Sequence, residues 1–573
     1  MNLRFDILII LGFTFGLIGC SSTQQSERAD LVFINGRVWT GIDSASFEQA
    51  VAVKGNSISQ VGSTTEIKKT IGRQTKVIDL EGKLLIPGFN DAHIHFLNGS
   101  IGLTEVDLTD ANSIEEVIQK IKTFRLENPD KKWITGRGWQ YTMFKGGLPS
   151  REILDSAIND RPVFIKAYDG HSAWANSAAL RMAKVNKTSI FKEFGEIVLG
   201  GYGEPTGVFK EKAMHLVDDM IPALTKKEKL AALRKGLALA TSLGITSIGN
   251  CSGSVDEFYL YKELLQNNEL NLRVAAAFSV DANTTPAEIK KYTIIKDSVG
   301  KNPRLTARNV KFVLDGVIES HTAGMLQPYS NLSPKETSPS GTLALPLDKY
   351  RNLVTEFDKL GFQVYTHAIG DRSVREALNT YEFASLTNHT NSRNRIEHIE
   401  TISPDDLPRF AALGVLPSME PIHAEPGTVS VWAEGVGKKR LPYSFAWSSI
   451  LKAGGHLVFS SDWPACVSIN PIRGLHTAVT RKTIEGEPKE GWVPEQKISI
   501  TQALIAYTQG GSYSSFEETS KGKIAPGYLA DFILLSQDIF TINPMKTFQT
   551  KVLTTVFNGK VIYEHTDNQQ RKP

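Results

Sequence analysis

The segment Leu84-Leu85-Ile86-Pro87-Gly88-Phe89-Asn90-Asp91-Ala92-His93-Ile94-His95 decides the reading of this chain. It is apolar until its end, and it ends on two histidines two residues apart. Side chains alternate faces along an extended strand, so His93 and His95 point the same way. Two imidazoles on one face, at the end of a buried strand, can grip one metal ion. A bare H-x-H pair is weak on its own. It gains weight because further metal-type residues recur downstream, each in or at the end of its own predicted strand.

From the middle of the chain onward, a unit of helix, glycine and strand repeats. Residues 225–243 carry leucines at 230, 233, 237 and 243, a helical stripe that opens on the capping-box pair Thr225 and Glu228. Gly244 ends it, and Ile245-Thr246-Ser247-Ile248 reads as a strand. The same pattern recurs at 347–367, 404–419 and 443–461. Alternation of strands and helices implies a parallel sheet. Eight strands are predicted, at 84–95, 245–250, 272–279, 309–315, 362–368, 395–400, 415–420 and 456–462. Eight such units predict an α/β fold, a (β/α)8 TIM-like barrel whose functional residues sit at the strand C-terminal ends.

The connection between the first two strands, about 96–244, is too long for one crossover helix. It contains a further strand at 162–168 and reads as an inserted subdomain over the barrel mouth. The two ends of the chain look alike, each reading as strand, Asn-Gly turn, strand: Leu31 to Trp39 around Asn35-Gly36, and Thr555 to Tyr563 around Asn558-Gly559. Residues 29–86 and 519–566 are expected to form one small β-sandwich, with the barrel at 87–518.

The first 19 residues read as a processing signal, with an apolar run from Ile7 to Gly19 too short to span a bilayer comfortably. Leu17-Ile18-Gly19-Cys20-Ser21-Ser22 resembles a bacterial lipoprotein signal, which implies cleavage before Cys20 and acylation of its thiol. Residues 20–28 then serve as a flexible tether. Ser21 after the cysteine favours the outer membrane, by analogy with enteric lipoproteins. The 64 basic and 61 acidic residues nearly cancel, which removes the electrostatic case for nucleic acid as a partner. Cys251 and Cys466 are too few for a disulfide framework. Gly249-Asn250-Cys251-Ser252-Gly253 matches a loose nucleophile-elbow pattern, but no ordered His and Asp partners accompany it.

Four further residues join His93 and His95: Lys311 in an apolar strand, His367 and His398 at strand ends, and Asp462 after the last strand. His321, Glu420 and His423 also lie near strand ends, as candidates for supporting or substrate contacts. Trp139, Tyr141 and Trp174 could line an apolar substrate pocket.

From about residue 30 to 566 the chain resembles the amidohydrolase superfamily, and within it the branch of N-substituted formamide deformylase-like (YtcJ-like) proteins. The motifs are PGFNDAHIH at 87–95, DGHSAW at 169–174, GEPTGV at 203–208 and VKFVLDG at 310–316. HAIGD at 367–371, RIEH at 395–398, SDWP at 461–464 and KGKIAPGYLAD at 521–531 complete them. The resemblance implies that His93, His95, His367, His398 and Asp462 surround one or two divalent ions, zinc foremost, and that a carbamylated Lys311 bridges two. It implies Asp462 as general base, and His171 as a contact to the carbonyl of a small-molecule substrate or as an electrophilic helper in catalysis. The expected activity is hydrolysis of a non-peptide C–N bond in an amide, formamide or cyclic amide. Hydrolysis of an ester, lactone or phosphoester at the same site, or a binding protein of the envelope that has lost catalysis, are the alternatives.

Overall fold

A computed structural model describes residues 28–42, 47–144, 147–168, 172–192, 195–300, 302–332, 338–466 and 468–565. Cys20 and His171 lie outside these residues. Eight parallel strands form one sheet: β1 (Phe89–Ile94), β2 (Ile245–Gly253), β3 (Arg273–Ser279), β4 (Leu305–Val313), β5 (Gln363–Ala368), β6 (Arg395–His398), β7 (Leu416–Met419) and β8 (Val458–Phe459). They are hydrogen-bonded in chain order from β1 to β8. Right-handed crossovers through helices produce such an order and place one barrel core inside it. The seam between β1 and β8 is closed beyond the strands: Asp462 N–H donates to His93 O at 2.8 Å, and His95 N–H to Trp463 O at 2.9 Å.

The helix–glycine–strand grammar is realised as written. Thr225 and Glu228 form a reciprocal capping box on the helix Lys226–Ser242. Gly244 follows at φ +78°, a conformation that suits a residue without a Cβ, and β2 begins directly after it.

The opening segment is not one strand, as its continuous apolar run suggests. Leu84–Pro87 belongs to a six-stranded sheet, paired with Phe532–Leu535 and Arg37–Trp39, and only Phe89–Ile94 enters the barrel. Gly88 sits between them, packed so closely on β2 that a Cβ there would lie 2.4 Å from the Thr246 side chain. The two Asn-Gly turns also differ. Asn558 and Gly559 both have positive φ and join Val552–Phe557 to Lys560–Glu564 in an antiparallel hairpin. At the other end only Asn35 has positive φ, so the turn does not close a hairpin. It passes the chain from Leu31–Ile34 in a four-stranded sheet to Arg37–Trp39 in the six-stranded one. These sheets join residues from both ends of the chain. They are tied to the barrel by Arg273 of β3, which donates to both carboxylate oxygens of Asp531 at 2.6 and 3.1 Å.

Between β1 and β2 the chain builds a six-stranded mixed sheet of its own, from Val106–Asp107 to Pro205–Glu211 and Gly195–Leu199. Two apolar clusters are built around it, one around Trp139 and Trp174 and the other around Phe164 and Phe209. Among the described residues, no helix is long and apolar enough to cross a membrane.

Replacing Gly88 by valine should force β1 away from Thr246 and cost about 1–3 kcal/mol, the usual penalty of overpacking. Urea denaturation checks this, and the companion change Thr246→Ala should recover part of the loss.

Candidate metal centre

The barrel aims its polar side chains at one point beyond the C-terminal strand ends. His93 and His95 come from the end of β1, Lys311 from β4, His367 from β5, His398 from β6 and Asp462 from the loop after β8. His95 Nε2 lies 3.2 Å and His93 Nε2 3.4 Å from the same oxygen, Asp462 Oδ1. That oxygen is buried and has no hydrogen-bond donor. An unsatisfied buried carboxylate oxygen is costly unless a cation faces it. Lys311 Nζ lies 3.2 Å from His93 Nε2. The ring centroids of His367 and His398 are 4.5 Å apart. However, His367 Nε2 faces the carbonyl of Gly316 at 3.2 Å rather than Asp462.

Of the glutamates behind these imidazoles, the sequence reading named Glu420 as a candidate supporting contact and missed Glu397 and Glu400. Glu397 Oε2 lies 2.6 Å from His93 Nδ1, and Glu420 Oε2 lies 2.9 Å from His398 Nδ1. Glu400 Oε1 lies 3.5 Å from Nδ1 of a further histidine, His423, whose Nε2 is 3.7 Å from Asp462 Oδ2. Each pair occupies Nδ1 and leaves Nε2 for the centre, the usual way a protein orients imidazole ligands. Glu397 is itself held by Arg395, which donates from Nε and Nη2 at 2.8 Å and stacks over Tyr365. A signal for this pair was present: Arg395 and Glu397 stand two apart, hence on one face, in a strand of four residues.

The charge states suit metal binding. Burial, reinforced by the nearby Lys311 charge, pushes His93 well below its ordinary range. Burial does the same to His367, and lowers His398 to about 4. All three are therefore neutral, the ligating form. Burial works to raise Asp462, but the surrounding His93, His95 and His398 outweigh it and hold the carboxyl well below the usual range. Burial pulls His423 down as well, yet its bond to Glu400 and the Glu420 and Asp462 charges carry it up to about 9.

A cavity of about 470 Å³ opens over this cluster. His95, Lys311, His367, His398, His423 and Asp462 form its polar floor, and Val313, Val317, Ile422, Val429 and Trp432 its apolar side. Trp139 and Trp174 do not line it, contrary to expectation. Both are fully buried in the inserted subdomain's own core, their indole N–H groups donating to Ile165 O and Ser150 O. Large aromatics pack cores readily, and nothing local in sequence separates that use from a pocket wall. His321 stacks on Tyr329 at 4.5 Å and is not part of the cavity lining. Cys251 is buried, and burial pushes its thiol up to about 12, the opposite of an activated nucleophile.

A family profile described as the amidohydrolase family matches residues 76–563. The chain belongs to the amidohydrolase family. It lies in the N-substituted formamide deformylase-like branch and is a metal-dependent hydrolase of carbon–nitrogen bonds other than peptide bonds. Protein LONG AFTER FAR-RED 3 of Arabidopsis thaliana is 31% identical over 93% of this chain and 92% of its own length. N-substituted formamide deformylase of Arthrobacter pascens is 24% identical, over 95% of this chain and 100% of its own. The crystal structure of a metal-dependent hydrolase from Pyrococcus horikoshii superposes with a TM-score of 0.73 at 27% identity, covering 90% of this chain and 99% of that one.

Replacing Arg395 by methionine would strand the fully buried Glu397 carboxylate. Removing one partner of a buried pair costs about 3–5 kcal/mol. A denaturant midpoint should fall accordingly, and adding Glu397→Gln should restore much of it.

Proposed function

We propose that this chain hydrolyses an amide, N-substituted formamide or cyclic amide, with His93, His95 and Asp462 as the primary holders of a divalent ion, zinc foremost. The observation that carries the reading is the buried, donor-less Asp462 Oδ1 with two imidazole nitrogens 3.2 and 3.4 Å away. Nitrogen and oxygen ligands at that spacing match a zinc site, where neighbouring ligand atoms stand about 3.3–3.5 Å apart. Lys311, His367 and His398 border the same cavity and complete the expected set. We include carbamylation of Lys311 in the proposal: its ammonium is nearly buried against His93, and conversion to a carbamate turns a repelling cation into an oxygen ligand.

When bound, the ion supplies polarisation of the scissile carbonyl and acidifies the attacking water. The protein does the rest. Glu397 and Glu420 fix the His93 and His398 rings, so the centre does not reorganise as charge develops. Asp462, ionised and at the cavity floor, accepts the proton of the water and returns it to the leaving nitrogen. The apolar side of the cavity around Val313, Val317, Ile422 and Trp432 holds the substrate's carbon skeleton and limits bulk water. His171 is proposed to contact the substrate carbonyl. The name of the Arthrobacter relative supports testing N-substituted formamides first.

Zinc-loaded protein should hydrolyse members of a panel of N-formyl amines, N-acyl amino acids and lactams faster than matched esters, lactones and phosphoesters. Activity confined to the oxygen esters would overturn the C–N assignment. In Asp462→Asn, kcat should drop about 10²–10⁴-fold, the usual loss of a general base. Its metal content should fall much less than in His93→Ala. Turnover near the wild-type value in Asp462→Asn removes that carboxylate from the mechanism.

The chain is further proposed to be tethered to the bacterial envelope, outer membrane favoured, through a lipid on Cys20, the cysteine of the Leu17-Ile18-Gly19-Cys20 segment. Cys20→Ser should release the protein from membranes or leave it unprocessed. Intact mass showing cleavage elsewhere with no acyl group would refute the tether.

A further inference from the structure

We propose that the substrate site has two lobes, and that the substrate is an amide with one hydrocarbon arm and one hydrogen-bonding, non-anionic arm. The polar arm lies in a second cavity on the β2–β4 side of the barrel mouth. The inference rests on the hydrolase reading above and narrows its substrate class.

The second cavity, of about 370 Å³, adjoins the one over the histidine cluster. The two share Ser252, Lys311 and Val313 as lining, so one begins where the other ends. Lys311 and Val313 stand two apart at the end of β4 and share a face. Ser279 of β3 is the register partner of Lys311 on one side, and His367 of β5 that of Val313 on the other. The end of β4 is therefore the boundary between the lobes. Val313 is 46% exposed, although it is apolar and ends a largely buried strand.

The two linings differ in chemistry. The first lobe has Val317, Ile422, Val429 and Trp432 on its apolar side. The second has Ser279, Asp281, Asn283 and Thr284, from the end of β3 and the loop after it. That loop is set by its own backbone: Asn283 N–H donates to Asp281 Oδ1 at 2.7 Å, and Asp281 N–H to Thr284 Oγ1 at 3.0 Å. Among the described residues, the Asn283 carboxamide and the Ser252 and Ser279 hydroxyls have no protein partner, which leaves them for a ligand. A few convergent polar groups of this kind orient a ligand in a pocket. The second lobe carries two carboxylates, Asp281 and Glu288, and no basic residue but Lys311. That charge suits a hydroxyl- or amine-bearing arm and opposes a carboxylate or phosphate.

Ser252 marks the junction. Its φ is +57°, a left-handed conformation that residues with a Cβ seldom adopt. It falls where the register between β2 and β3 slips, between Asn250 and Gly253. A bulge at a barrel rim re-aims a side chain, and this one brings a serine hydroxyl to the lining of both lobes. A substrate that spans the lobes therefore crosses Ser252 and Lys311, with its hydrocarbon arm beside Val317 and Trp432 and its polar arm beside Asn283.

The test is a matched series of amides given to the zinc-loaded full chain. One arm is a constant hydrocarbon, and the other is an alkyl, hydroxyalkyl or carboxyalkyl group of equal length. Each set is made with the hydrocarbon on the acyl carbon and again on the nitrogen. In one of the two orientations, kcat/KM for the hydroxyalkyl amide should exceed that of both others by roughly 10-fold. Asn283→Trp, which fills the second lobe from an exposed loop, should erase that preference, and Ser252→Ala should lower it. Calorimetry with the uncleavable ether that joins the hydrocarbon and hydroxyalkyl arms should show binding roughly 10-fold weaker in Asn283→Trp. Circular dichroism checks folding, and should Asn283→Trp fail to fold, a full preference retained in Asn283→Ala overturns the proposal. Equal turnover of the three arms in both orientations, or a folded Asn283→Trp that keeps the preference, also overturns it, while the hydrolase reading stands. If no amide is turned over, the hydrolase reading fails, and equal ether affinity in the parent and Asn283→Trp would overturn the two-lobe site as well.

Discussion

A buried carboxylate that no protein donor fully satisfies organises this molecule. Asp462 is fixed at the barrel mouth with imidazoles on both sides, and its buried Oδ1 has no hydrogen-bond partner. Such an arrangement is expensive, and it persists only because the surroundings over-determine it. Glutamates stand behind three of the histidines, so each ring is held by one nitrogen and offers the other. The result is a preorganised set of donors facing one cavity, and preorganised polar groups are where electrostatic catalysis is strongest.

The barrel seam makes that placement possible. Because β8 has only two residues, the closure falls to the loop that carries Asp462. Ser461 donates from its backbone and hydroxyl to Asp91, two residues before His93, and the backbone of Asp462 and Trp463 bonds to that of His93 and His95. Trp463 then lies over Gly99, where a Cβ would sit 2.2 Å from its ring. The geometry of the histidine–carboxylate cluster and the closure of the barrel are therefore one set of contacts. A disturbance of the first strand's exit moves His93, His95 and Asp462 together, across the seam between the first and last strands.

The surrounding parts divide the remaining work. The terminal sheets are joined to the start of β3 through the buried Arg273–Asp531 pair. The subdomain inserted after β1 carries its own core around Trp139 and Trp174. Those tryptophans fill that core, while the lining of the cavity over the histidine cluster includes residues of barrel loops such as 313–319 and 422–432.

The sequence alone determined the repeating units, since each helix stripe, terminal glycine and apolar strand is a local signal read by local rules. It also determined His93 and His95 as a pair, because a two-residue spacing in a strand fixes their common face. The remaining expected ligands were legible only as strand-end positions, whose meeting point depends on closure of the sheet. What tertiary structure decided was partnership. That Asp462 lies between His423 and His93, that Glu397 is balanced by Arg395, and that Trp139 and Trp174 face a core instead of the cavity are long-range facts. So is the break at Gly88, where one apolar run is shared between two sheets. Each depends on which side chains arrive at one place from distant segments, and hydrophobicity and spacing along the chain carry no record of that encounter.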